Sequence, residues 1–255
     1  MLRWADAIAF SSLLAAAVAG ALSIAASLAL AAPNLHRWAF LASAGTFIIY
    51  NLDRLRDLEH DRTSSPIRTA FVSRHQRILY EAVLIAAIGF TAVLFTSAPA
   101  IILLCLAVGV VGLFHRRIKR TPTFKALYVS TAWVAVCLGF PWIASGHNDL
   151  GIWLAGIFFL SLTANLIASN LRDGKVIRAP SGHNMVLWLA RGFILLALAL
   201  VFAGPGRLLP LVWIPVYEGL ALALFRPTER YGHLVIDGAL LLGALITSAH
   251  YQWSA

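Results

Sequence analysis

Charge is scarce in this sequence. Asp, Glu, Lys and Arg make up 12% of its 255 residues, where a soluble domain carries about a quarter. Acidic side chains are the scarcest, 11 against 20 Lys and Arg. With a hydrophobic share of 60% and a mean hydropathy of +0.80, this shortage excludes a water-soluble globule and predicts an all-α integral membrane protein. Cysteine is rarer still, with two residues. Cys105 and Cys137 lie inside apolar runs and match no metal-ligand spacing, so they read as buried small hydrophobes. No cleavable signal peptide is evident, because the first apolar run is as long as a membrane span and reads as a helix.

Apolar runs and their breakers divide the chain into nine expected spans, about 8–31, 36–57, 77–95, 97–114, 124–145, 150–172, 184–203, 208–225 and 233–252. They form one expected transmembrane domain over residues 1–255. Pro33, Pro99, Pro205 and Pro227 fall in connections or just inside a span, where a missing N–H does little harm. Outer connections are poor in cations: only Arg37 and Arg207 fall there, and Arg191 lies within a span. The remaining Lys and Arg fall on the other side. The positive-inside rule therefore predicts a cytoplasmic N-terminus, nine crossings of the cell inner membrane and any chemistry on the cytoplasmic side. The sequence pI near 10.3 is then a topology signal, and no nucleic-acid partner is implied.

Against this background the stretch 48-IIYNLDRLRDLEHDRT-63 is unusual, since it crowds acids and arginines where an apolar run ends. Residues four apart on a helix differ by about 40° in azimuth and 6 Å in rise, so Asp53, Asp57 and Asp61 are expected on one gently spiralling face. Like charges at that spacing repel, and carboxylates at a helix C-terminus face the negative end of its dipole. Arg54, Arg56 and Arg62 would neutralise the acids in a plain solvated helix. Alternatively a divalent cation supplies the missing charge, and hard oxygen donors suit Mg²⁺. A second polar cap, 165-NLIASNLRDGKVIRAPSG-182, carries 170-NLRD-173, an echo of 51-NLDRLRD-57. The basic run 115-HRRIKRTPTFK-125 shares the inner side and suits a diphosphate.

These residues resemble the UbiA superfamily of intramembrane prenyltransferases. That family carries Asn-Asp-x-x-Asp-x-x-x-Asp after its second helix, continued as Asp-Arg-x-x-Asp and Arg-Thr. Here 53-DRLRD-57 and 62-RT-63 match the continuation, 118-IKRTPTFKAL-127 resembles the stretch before helix 5, and 169-SNLRD-173 resembles the second motif. The first motif admits two registers, one ending at Asp57 and one using Asp53, Asp57 and Asp61. The second motif departs from the family: Asn170 stands for its first aspartate and Ile177 for its third.

The resemblance implies a Mg²⁺-dependent transfer of an isoprenyl group from a prenyl diphosphate to a lipophilic or aromatic acceptor, among membrane lipids. Asp53, Asp57 and Asp173 would be the catalytic carboxylates, with Asp61 as a further metal ligand. Asn51, Arg62, Arg68, Lys119, Arg120, Tyr128 and Asn170 would contact substrate. Phe47, Tyr50 and Trp133 are further aromatic candidates for facing an allyl cation. Glu81, Arg191, Glu218 and Asp237 lie within spans, where ionisable groups are costly and functional by default. Two alternatives stand beside transfer: cyclisation of a prenyl diphosphate, and a non-catalytic prenyl-lipid or diphosphate binder or transporter.

Overall fold

The structure is a computed structural model. It describes the backbone at residues 2–63, 65–118, 122–146, 148–172 and 180–254, and side chains there except at 2–3, 60, 113–118, 122–125, 172 and 180–184. The described chain is helical throughout. In order come α1 (Leu2–Phe10), α2 (Leu13–Leu30), α3 (Leu35–Arg56), α4 (Leu58–Asp61), α5 (Pro66–Arg74), α6 (Gln76–Phe95), α7 (Pro99–Ile118), α8 (Pro122–Ala144), α9 (Leu150–Arg172) and α10 (Pro180–Ala203). A 3₁₀ segment Gly206–Val212 leads into α11 (Trp213–Ala223), and a π-helical turn Tyr231–Ile236 leads into α12 (Asp237–Trp253).

Among the described residues six segments are long and apolar enough to cross a membrane: Leu13–Leu30, Gln76–Phe95, Ala126–Ala144, Leu150–Leu171, Met185–Ala203 and Tyr231–Trp253. Their burial divides them by role. The α2 window is 72% buried and the α6 window 11%, so α2 is a core rod and α6 a lipid-facing one. Ile85 on α6 and Leu195 on α10 are 71% and 67% exposed. Such exposure would be a liability in water and is ordinary against hydrocarbon.

At the centre, α2 packs on α3, α8 and α12. The remaining helices close around it neighbour on neighbour, α3 on α6, α7 on α8, then α8 through α12 in sequence. Between apolar rods in lipid, close packing of small residues is a main source of attraction. Helix α2 is built for it: Ala19, Ala25, Ala26 and Ala29 are fully buried. A Cβ on Gly20 would lie 2.3 Å from the Ser43 Oγ, so a larger residue there would force the Ser43 hydroxyl on α3 to turn away.

Of the nine expected spans, 36–57, 97–114 and 208–225 are not among these six, and two of the nine are interrupted. The run 8–31 is broken at Ser11 and Ser12, where Ser12 adopts φ 65° and is fully buried. Alanine-rich sequence does not announce such a break. The run 208–225 splits into the 3₁₀ segment and an eleven-residue α11. Pro210 accounts for it, since its ring removes an N–H donor, and its carbonyl instead accepts the Thr247 hydroxyl at 3.0 Å.

Candidate functional site

The site region begins where α3 loses its apolar character. The broken end of α1 leaves carbonyls without helical partners, and α3 supplies the donors. The Asn51 amide donates to the Ser11 and Phe47 carbonyls at 3.1 and 2.9 Å. Arg54 is buried and donates to the Phe10 carbonyl at 2.9 Å, with its guanidinium 5.9 Å from the Tyr50 ring. Asn51 is thus tied up as a clamp between α1 and α3, although its Oδ1 is buried and has no hydrogen-bond partner.

Helix α3 ends at Asp57, whose φ of −102° and ψ of 16° also start α4. The ladder is therefore kinked, where one smooth helix was expected. Its backbone bonds nonetheless step by four: the Asp57 amide donates to the Asp53 carbonyl, Asp61 to Asp57 and Ser65 to Asp61, at 3.0, 2.9 and 2.8 Å. The three carboxylates thus occupy successive turns. Their surroundings differ. Asp53 is exposed and Asp57 half-buried, while Asp61 is paired with Arg68 at 2.8 Å. That pair is largely out of water, with side chains 16% and 10% exposed. Arg62 is exposed and lines a cleft with Pro66, Thr69, Ala70 and Ser73.

Distant segments brace this surface. The Glu229 carboxylate accepts the backbone amides of Ile67 and Arg68 at 3.3 and 3.1 Å, meeting the positive end of α5. Arg230 grips Asp6 through two hydrogen bonds of 3.0 and 2.9 Å. That contact holds the Arg230 guanidinium above its usual pKa. The segments around residues 6, 61–68 and 229–230 therefore share one end of the bundle.

Beneath lies a polar layer inside the bundle. The Trp133 indole donates to the Tyr50 hydroxyl at 2.9 Å, with the rings edge to face. Thr163 bonds Ser130 at 2.9 Å. Asp237 receives Asn165 at 3.2 Å on one oxygen and faces His233 at 3.4 Å on the other. Asn170 is buried, and Tyr128 donates to the Val111 carbonyl. Asn165 and His233 were not singled out as site residues from sequence. The readable signal was the i,i+4 spacing of His233 and Asp237 at the head of a span.

Lys119, Arg120 and Asp173 lie outside the described residues. Among the described residues no three His, Cys, Asp or Glu side chains gather as a metal site. The donors present still fit magnesium in kind, because it needs only one or two carboxylates beside water and substrate oxygens. Asp53 is exposed and Asp57 half-buried, while the Asp61 carboxylate is paired with Arg68.

No family model and no curated protein sequence matches this chain. Among solved structures it is similar to one from work on a digeranylgeranylglyceryl phosphate synthase in membranes. The two share 18% identity at a TM-score of 0.55, over 98% of this chain and 100% of that one. Likeness at that identity concerns the fold alone.

Proposed function

We propose that this chain is a UbiA-like intramembrane enzyme that moves an isoprenyl group from a prenyl diphosphate to a lipophilic acceptor. One observation carries the reading: Asp53 and Asp57 stand on successive turns at the end of the bundle that also presents Arg62 and Arg68. Acids and cations side by side are what a diphosphate with its metal requires. The full-length similarity in fold supports the same reading.

In this account Arg62 and Arg68, with Lys119 and Arg120, bind the diphosphate and stabilise the negative charge that grows as it leaves. Asp61 positions Arg68 by pairing with it. Bound Mg²⁺ would be held by Asp53, Asp57 and Asp173 and would add positive charge against the diphosphate oxygens. The Tyr50 and Trp133 rings line the interior behind the carboxylates, where an electron-poor allyl fragment is shielded from water. The positive-inside pattern supports a cytoplasmic N-terminus, nine crossings of the inner membrane by a single domain and a site facing the cytoplasm.

The test is release of diphosphate from radiolabelled geranyl, farnesyl or geranylgeranyl diphosphate, with membrane lipids as acceptors. We expect Mg²⁺-dependent release that Asp57→Ala abolishes. Equal release by wild type and variant would refute the proposal. A second reading, a non-catalytic prenyl-lipid or diphosphate binder, is favoured by the Asp61–Arg68 pair and by Asn170 where the family has an aspartate. It predicts saturable binding without turnover. Cyclisation would show instead as a hydrocarbon or alcohol product carrying no acceptor.

A further inference from the structure

Glu218, on α11, is the acid whose carboxylate is fully buried without a hydrogen-bond partner on either oxygen among the described residues. A buried carboxylate without a donor is costly in a low-dielectric interior, and a leucine or glutamine there would be cheaper to fold. Neighbouring donors are committed elsewhere. Asn165 donates to Asp237 and neighbours Glu218 without completing a hydrogen bond to it. Arg191, on the adjoining α10, is spent on the Leu222 and Ala223 carbonyls.

The surroundings fit an amphiphile. The apolar cluster of Ile194, Ala221, Leu222 and Ile236 packs at this level of the bundle. Further polar groups lie inside the bundle: the Trp133 indole donates to the Tyr50 hydroxyl, and Asn165 donates to Asp237.

We infer that Glu218 anchors a second polar subsite, which takes the hydrogen-bond-donating head group, hydroxyl or amine, of a lipophilic acceptor. The inference rests on the transfer reading only for the word acceptor. The binding chemistry stands on the unmatched carboxylate: Glu218 supplies the acceptor atoms, and the ligand must bring the donor. An ester or ether lacking an O–H or N–H leaves Glu218 as costly as before.

Thermal unfolding of the purified full chain tests this without prenyl diphosphate. The probes are oleyl alcohol, oleylamine and methyl oleate, presented in the same detergent. Oleyl alcohol, oleylamine or both should raise the Tm of the wild type by about 3 °C, and methyl oleate should not; which of the first two acts identifies the donor. Glu218→Leu should unfold at a higher temperature than wild type without lipid and respond to none of the three. Glu218→Gln, which keeps the shape, should lose most of the selectivity. The inference is overturned by equal shifts with all three lipids, by no shift with any, or by a wild-type response in Glu218→Leu. It also falls if both Glu218 variants merely lower the Tm, which would mark a structural residue. A donor-selective shift in a protein that never releases diphosphate would sink the transfer reading and leave this subsite standing.

Discussion

Asp61 and Arg68 show how a residue's partner changes its meaning. Spacing alone groups Asp61 with Asp53 and Asp57, yet the chain break after α4 swings α5 round so that a cation seven positions on meets it. Removing one member leaves the other charge poorly solvated, so Arg68→Met should cost about 2–3 kcal/mol. Pairing it with Asp61→Asn should restore most of that loss, read as Tm in a double-mutant cycle. Strictly additive losses would mean that the ion pair does not act as a unit. Asn51 and Arg54 teach a related lesson. Their polar character was readable, but their roles were not, because their partners are carbonyls of Phe10 and Ser11 about forty residues away. Glu218 was legible as an anomaly, since a carboxylate inside an apolar run has no ordinary use.

At the scale of elements, apolar run length and proline placement were good guides. Helices α6 and α9 begin and end within a residue of their expected limits, because polar or breaker residues flank uniform apolar stretches. The break at Ser12 was invisible because nothing in an alanine-rich run marks where the backbone turns. Helix α5 depends on a carboxylate from the far end of the chain, a contact no local pattern reveals. Glu229→Ala should remove the acceptor for two α5 amides and loosen that helix by about 1 kcal/mol. Hydrogen exchange should then rise across 66–74 and stay unchanged in α2. Unaltered protection in 66–74 would mean that Glu229 is a bystander.

For the molecule as a whole, the exposed apolar faces of α6 and α10 and the buried alanines of α2 describe a bundle solvated by lipid. The sidedness we propose for it rests on where the cations fall. In a background with Cys105 and Cys137 changed to serine, a cysteine at Ala98 should react with an impermeant maleimide on intact cells. One at Ser73 should react only after permeabilisation. The reverse pattern would invert the topology and move the proposed site to the other face.

The central claim is that the inner ends of α3 and α9 jointly hold a metal and the diphosphate it carries. Electron paramagnetic resonance of Mn²⁺ with farnesyl thiodiphosphate, an analogue that ionises slowly, reads this directly. Asp57→Asn and Asp173→Asn should each weaken ternary Mn²⁺ binding about tenfold or more. Binding that Asp173→Asn leaves at the wild-type level would contradict the claim.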